Sequence, residues 1–486
     1  MRNKLLAGIT AAAILAGAPA FAGSAPDIIW SRTGLGGYAY AAAVDSSGNV
    51  FVTGKTPTIS AIDMQTVKYD ANGNEKWITT YDSGGVDRGF GIAVSPLGDV
   101  YAVGQGDAAG APKWNIVKYD TAGAFQWAIA PTSPGTYDIP YGVAVAPTGT
   151  ISVAGSARLA GLDNIRTLRY DSLKNVLTDV PYNNGGICIG YSVAVDKEGN
   201  TYVGGSRSNG AGYDYYLVKY DSTGAFVWDG AWDWESWDEI RGIAVDLSGS
   251  VYVTGYSWNG SAGTVRTMKY GSAGGTVWMA SYGVGLNDEG TAIAIDSLNN
   301  AYVVGFTGTD TGKDFLVLKY DRGGALCWVK SFGSSYDDEL HGAAMGPDDN
   351  LVVAGFTETV PASVIGYYRT MKIHTAASPA ESTTLEVDSG KILAAPNSLD
   401  LSSPLSEAVF QVSGNPGGEV DLRLYDSAGR LAGTAKVFLD GLGRGRISYG
   451  RDGWGGRKPV PGAYWVAASG GGVKGKKLFF VIAGRK

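Results

Sequence analysis

Little in this chain of 486 residues is chemically reactive: it has two cysteines and two histidines. Cys188 and Cys327 lie at different places in the chain's repeated pattern, so a dense disulfide framework is excluded and both read as small buried apolar residues. With His341 and His374 alone, no multi-histidine metal site can be built, and each reads as structural. No HExxH, GxSxG or P-loop string occurs, so the common hydrolase and nucleotide-binding signatures are missing. No cofactor is expected, and no enzyme is announced.

Charge is sparse as well, at 17% of residues. From residue 376 onward there are 14 basic and 10 acidic residues, a balance of +4, against −13 for Met1 to Thr375 after Arg2 and Lys4 are removed. Such an acidic larger part excludes nucleic acid as a partner, because that binding is driven by phosphate neutralisation. The change of sign points to two domains with different surfaces. Beyond the N-terminus no apolar run is long enough to cross a bilayer. At the N-terminus, Arg2 and Lys4 precede LLAGITAAAILAGAPAFA, with small residues Ala20 and Ala22 at a cleavage spacing. This predicts a signal peptide over 1–22 and a secreted or cell-surface protein.

What the chain has in abundance is glycine, 73 residues, with 11% aromatics. The glycine shows no collagen-like period, and the aromatics favour strands. The stretch Tyr191 to Trp228 displays the unit: short Val- and Tyr-rich runs separated by turns at EGN and STG, four strands in all. A glycine ending the second run recurs at Gly54, Gly104, Gly155, Gly205, Gly255, Gly305 and Gly355. The third run carries Lys68, Lys118, Arg169, Lys219, Lys269, Lys319 and Lys372, and the fourth carries Trp77, Trp127, Trp228, Trp278 and Trp328, with Leu177 near the missing place. The tryptophans read as wedges between units, with the repeated lysine stems laid over the indoles. Asp and Gly in DSSGN, DKEGN and YDSTG read as hairpin turns, since an EF-hand-type loop would need a distal Glu.

A four-stranded unit of this size cannot bury both faces alone, so units must stack, and stacking round an axis gives a propeller. The seventh unit ends at YRTMKIH without a fourth strand, while PDIIW with Trp30 precedes the first. The fold class predicted is therefore all-β: a seven-bladed β-propeller over 23–375, closed Velcro-fashion by the N-terminal strand. A linker over 376–384 and a small Ig-like β-sandwich over 385–486 follow.

DSSGNVFVTG, DKEGNTYVGG and DLSGSVYVTG, together with VKYD, a Trp and GxDxxxGIAV, resemble the bacterial SBBP β-propeller repeats. The resemblance implies an exported propeller attached to other extracellular modules, and carries no catalytic residue. VDLRLYDSAGRLAG, GRDGWGGRKPVPGAYWV and KKLFFVI are similar to the FlgD-type Ig-like domain, with Tyr449, Gly450 and Arg451 where that family usually has Trp-Asp-Gly. That likeness implies a part in surface sorting or attachment.

Two sets of residues stand out from the repeat. Asp87, Asp138, Asp238, Asp288 and Asp338 precede the innermost strands, where they would either ring a channel mouth and hold a cation or cap turns. WDGAWDWESWDE places Trp232, Asp233, Trp234, Glu235 and Trp237 in one loop, and Trp258 in the next unit shares its face. Aromatic faces beside carboxylates suit sugar rings, although such indoles also pack on one another over a blade edge. These residues predict a non-catalytic module binding a glycan or an extracellular protein. The alternatives are a structural or adhesion component of the envelope, and a carboxylate-dependent or lyase-type propeller enzyme. If the first strand completes the last sheet, deleting Asp27 to Arg32 lowers the melting temperature by many degrees; an unchanged melting curve overturns the closure.

Overall fold

The computed structural model describes residues 27–57, 62–107, 112–132, 135, 137–183, 185–284, 287–309, 312–334, 336–358 and 366–375, and the backbone of strands between 385 and 483. The expected signal peptide, 1–22, and linker, 376–384, lie outside them. Among the described residues there is no helix long and apolar enough to cross a membrane.

The repeats fold as four-stranded antiparallel sheets in chain order, the first being Tyr38–Val44, Val50–Lys55, Met64–Tyr69 and Glu75–Tyr81. The fourth and fifth repeats form such sets too, linked by one parallel pairing of Tyr213, at the start of a third strand, with Trp237, at the start of the next innermost strand. Successive innermost strands, Tyr38–Val44, Arg88–Val94, Asp138–Val145, Cys188–Val195, Trp237–Val245, Asp288–Ile295 and Asp338–Met345, lie side by side, and the last returns to the first. The result is a β-propeller. Its last sheet takes Ile28–Gly36 as outermost strand, beside Gly366–Ile373, Leu351–Glu358 and Asp338–Met345. Gly37 N–H donates to Gly366 O at 2.7 Å and Arg369 Nη1 to Thr33 Oγ1 at 2.5 Å.

Turn chemistry follows the sequence. Asp196 Oδ1 accepts from the N–H groups of Glu198 at 3.1 Å and Asn200 at 2.8 Å, while Gly199 takes φ +86°. Contacts between repeats use the third-strand cation in a way the sequence did not indicate. Lys68 Nζ donates to Thr121 O at 2.9 Å, Arg169 Nη2 to Ser222 O at 2.7 Å and Lys219 Nζ to Ser272 O at 3.1 Å, each a turn carbonyl of the next repeat. The ammonium groups sit over second-strand rings and not over indoles: Lys219 lies 5.0 Å from the Tyr202 centroid and Lys269 4.6 Å from Tyr252. The indoles do wedge between repeats, as Trp77 does at 6.0 Å from Phe51 and 6.2 Å from Tyr119. Cys188 is buried as expected, but Cys327 is only half-buried, because it lies on an outermost strand; neither is in a disulfide.

The recurrent glycine has a specific cause. In the innermost strand the register slips by one residue, between Ala39 and Ala41, Gly89 and Gly91, Gly190 and Ser192, and Ile240 and Gly242 among others. Each slip is a β-bulge. It drives the carbonyl just before it onto the neighbouring strand, where a Cβ on Gly205 or Gly255 would collide with Ile189 O or Glu239 O. Only glycine accepts that approach.

Beyond Thr375, Leu385–Val387, Gly390–Ala395, Ala408–Ser413 and Arg444–Tyr449 form one sheet. Ser398–Asp400, Val473–Ala483, Gly462–Gly470, Glu419–Asp426 and Leu431–Phe438 form another, whose first pair is parallel.

Gly255→Ala is expected to cost about 3 kcal/mol or more, since the clash is with backbone and cannot be relieved by a rotamer. Denaturant unfolding of the variant measures it; a loss below about 1 kcal/mol contradicts the close approach.

Candidate functional site

The bulge residue itself is left without a partner across the strands, and its side chain turns into the centre of the ring. At that position the seven repeats carry Tyr40, Phe90, Tyr141, Tyr191, Arg241, Thr291 and His341, all lining a cavity of about 480 Å³. Its size falls within the usual range for small-ligand sites. Beneath them lies an apolar tier that includes Ile92, Val143 and Ile293.

The cavity has two unlike arcs. Four consecutive repeats supply an aromatic wall, with centroids 5.7 Å apart for Tyr40 and Phe90, 5.6 Å for Phe90 and Tyr141, and 5.2 Å for Tyr141 and Tyr191. Burial pushes the Tyr141 hydroxyl up to about 12, so this wall stays neutral.

The other arc is charged. Glu239, Glu289 and Glu339 each stand two residues ahead of a bulge residue, on three adjacent innermost strands. Arg241 bridges two of them, with Nη2 2.6 Å from Glu239 Oε2 and Nε 3.5 Å from Glu289 Oε1. Its guanidinium also lies 4.2 Å from the Tyr191 centroid, a cation–π contact. Burial disfavours the guanidinium charge, but Glu239 and Glu289 outweigh it and hold Arg241 protonated. Glu239 accepts further from Trp237 Nε1 at 2.6 Å.

Glu339 is held from both sides: Lys313 Nζ lies 2.6 Å from Oε1 and His341 Nε2 3.0 Å from Oε2. Burial would raise its pKa, yet the hydrogen bond and charge of His341 and the Lys313 ammonium keep it below the usual carboxylate value. Glu289 goes the other way. Burial pushes it up, and the neighbouring Glu239 and Glu339 add to that against Arg241 and His341. Two carboxyl groups in one cavity thus differ in proton affinity, an arrangement that acid–base sites employ. The His341 ring is fixed by stacking on Phe356, 5.6 Å away at 15°, and by the edge of Tyr40 at 5.7 Å.

The residues singled out in the sequence fall into three places. Trp232 and Trp234 are half-buried against the core of the fourth and fifth repeats, Trp232 4.6 Å from Tyr270 and Trp234 5.1 Å from Tyr215. Glu235 pairs with Arg266 at 3.7 Å and Asp233 is exposed. Trp237, 42% exposed, opens its innermost strand opposite Trp258, which is half-buried, and packs 4.5 Å from Tyr213. Through its bond to Glu239, Trp237 joins the predicted loop to the channel.

The five aspartates are buried and cap the loops ahead of the innermost strands, so they do not ring the mouth. Asp238 Oδ2 accepts from the N–H groups of Trp234 at 2.8 Å and Glu235 at 3.2 Å, and Asp87 Oδ2 from Ser83 at 2.8 Å. Asp63, Asp82 and Asp87 have carboxylate oxygens within 4.8 Å of one another, but Asp87 is already engaged by Ser83 and Asn115. Sequence reading missed the glutamates although the signal was present: WDEI, NDEG and DDEL repeat an Asp-Glu pair at fifty-residue spacing. The Asp of each pair accepts from N–H groups of the preceding loop, while Glu289 and Glu339 beside two of them line the cavity. His341, expected to be structural, lines the cavity.

A family model for the SBBP β-propeller repeat matches residues 238–261, which run from the Asp238–Glu239 pair through the second strand of the fifth repeat. None of the curated protein sequences is significantly similar to the chain. Among solved structures, a fungal alcohol oxidase of the AA5 family in complex with copper is similar at 13% identity and a TM-score of 0.48, over 94% of this chain and 100% of that one. Sqt1 of Chaetomium thermophilum, bound to the N-terminus of ribosomal protein L10, is similar at 15% identity and a TM-score of 0.43, over 68% and 85%. The polysaccharide lyase Uly1 is similar at 10% identity and a TM-score of 0.43, over 68% and 89%.

The raised Glu289 has a consequence for stability. The folded state binds its proton more tightly than the unfolded chain does, so as pH rises from the unfolded to the folded pKa this group subtracts stability. Glu289→Gln removes that contribution. The wild-type melting temperature is expected to fall further than the variant's between mildly acid and neutral pH, and parallel curves contradict the assignment.

Proposed function

We propose that the protein is an exported carbohydrate-binding propeller of seven blades, whose central channel is the binding site. The observation that carries this is the division of the bulge positions: rings in four successive repeats, and polar or charged side chains in the remainder, where Glu289 and Glu339 also line the cavity. A sugar has flat C–H faces that rest on aromatic rings and hydroxyls that need acceptors and donors at its rim. Tyr141 and Phe90 offer the first; Glu289, Arg241 and His341 offer the second. The aromatic wall has no charge of its own, so a bare ion or a strongly charged ligand would use only half the cavity.

Trp237 extends the same surface outward. It is the most exposed of the tryptophans predicted for binding, and its indole N–H is tied to the channel carboxylate Glu239. A longer glycan would rest on Trp237, beside Trp258, while its end residue enters the cavity. Binding is thus centred on the channel, with the loop of Trp232, Asp233, Trp234 and Glu235 as the support that holds Trp237.

Export is supported by Arg2, Lys4 and the small-residue site at Ala20 and Ala22, and the C-terminal strands are read as an Ig-like, FlgD-type module for surface attachment.

A panel of soluble glycans, screened by affinity electrophoresis and followed by calorimetry on those retained, tests the reading. Tyr141→Ala and Trp237→Ala are expected to weaken binding by about tenfold or more each, in keeping with ~1–3 kcal/mol per stacked ring. Unchanged affinity in both folded variants places the site elsewhere.

A further inference from the structure

Resting on the binding reading above, we propose that the charged arc is a catalytic site that hydrolyses a glycosidic bond of a neutral saccharide, with His341 as general base and Glu289 as general acid. The hydrogen of the His341 imidazole is placed by its neighbours. Its Nε2 stands 3.0 Å from Glu339 Oε2, and the other oxygen of Glu339 takes Lys313 Nζ at 2.6 Å. An ionised carboxylate only accepts, so the imidazole hydrogen is on Nε2 and the lone pair of Nδ1 is left for the cavity. Nδ1 takes no partner among the described residues. Glu339 is the positioning residue: it fixes the tautomer, while the Phe356 and Tyr40 rings fix the plane.

Glu289 lies on the adjoining strand, which is bound to that of His341 through Thr291 Oγ1 and Leu340 O at 2.5 Å. Among the three glutamates it is the least engaged: Arg241 Nε approaches at 3.5 Å, whereas Glu239 and Glu339 each hold short contacts to two donors. Burial and those two carboxylates favour its protonated form, as an acid requires. Arg241 with Glu239 and Lys313 with Glu339 cancel in charge, so the arc offers no net attraction to an anionic sugar, and a neutral one fits it.

The step balances with water as the sole co-reactant. His341 Nδ1 takes a proton from water as its oxygen bonds to the anomeric carbon; the bond from that carbon to the leaving oxygen breaks, and Glu289 gives its proton to that oxygen. The proton then returns from the imidazolium to the glutamate through solvent. A base acting through water on the face opposite the acid implies inversion at the anomeric carbon.

The full chain is incubated with mixed-linkage β-glucan, xylan, galactomannan and starch, and new reducing ends are measured beside affinity electrophoresis on the same polymers. Glu289→Gln and His341→Asn are expected to lower the rate ~10²-fold or more, a loss well beyond any weakening of retention in the gel. Glu339→Gln is expected to lower kcat with little change in KM, because an amide can present either its oxygen or its NH2 to Nε2 and no longer fixes the tautomer; a merely structural role moves KM and gel retention as well. Retention without new reducing ends overturns the hydrolytic step and leaves the binding reading standing. An unsaturated sugar product, seen by its ultraviolet absorbance, overturns hydrolysis in favour of elimination. No retention of any polymer removes both readings.

Discussion

The approach of one backbone to another, at the glycine that closes each second strand, is the constraint on which this propeller depends. An antiparallel pair ordinarily keeps its residues in register and sends successive side chains to opposite faces. Here the innermost strand carries one residue too many, and the surplus is taken up by letting a carbonyl press where a Cβ would be. That single accommodation explains the glycine period and gives every repeat a side chain with no cross-strand duty. Seven such side chains meet in the middle. The channel is therefore a product of the backbone irregularity, and its chemistry is set by residues the sheet does not need.

Away from the channel the repeats are joined by devices that do not vary much. A third-strand cation lies over the second-strand ring of its own repeat and reaches a turn carbonyl of the next, as Lys219 does with Tyr202 and Ser272. Arg169, which stands opposite Ser152, likewise reaches Ser222 O, so the repeat that lost its tryptophan at Leu177 keeps the link to its neighbour. Hydrogen bonds from a charged donor to a carbonyl are stronger than neutral ones, and a ring beneath the stem limits the entropy lost in making them. Such links act between neighbours only, which suits an array in which each repeat has the same two partners.

Much of this architecture was legible in the sequence because it is periodic. Strand pattern, turns and the place of Trp30 ahead of the first unit follow from spacing alone. The channel was not legible, for a physical reason. The register slips between Ile240 and Gly242, so Arg241 has no cross-strand partner and lines the cavity, although the residues around it read as an ordinary strand. Without knowledge of that slip, the Asp of each Asp-Glu pair looks like the inward residue, and the eye is drawn to the tryptophans nearby. Trp237 was found that way and lies near the mouth; Trp232 and Trp234 were found for the same reason and serve as packing.

Repetition also supplies an internal control on what the charged arc is for. At the position of Arg241, Thr291 and His341, four other repeats carry Tyr40, Phe90, Tyr141 and Tyr191, so the bulge and the ring form equally well round an aromatic side chain. Burying a guanidinium between two carboxylates gains little over well-packed apolar groups, since desolvation opposes the Coulomb attraction. If stability alone shaped this position, rings would suffice throughout. The chain instead places Arg241, Lys313, His341 and three glutamates together on one side, and holds each by contacts that leave Glu289 and one nitrogen of His341 lightly engaged. Costly groups gathered where the fold does not require them, with the least restrained facing a cavity, are what a working site looks like.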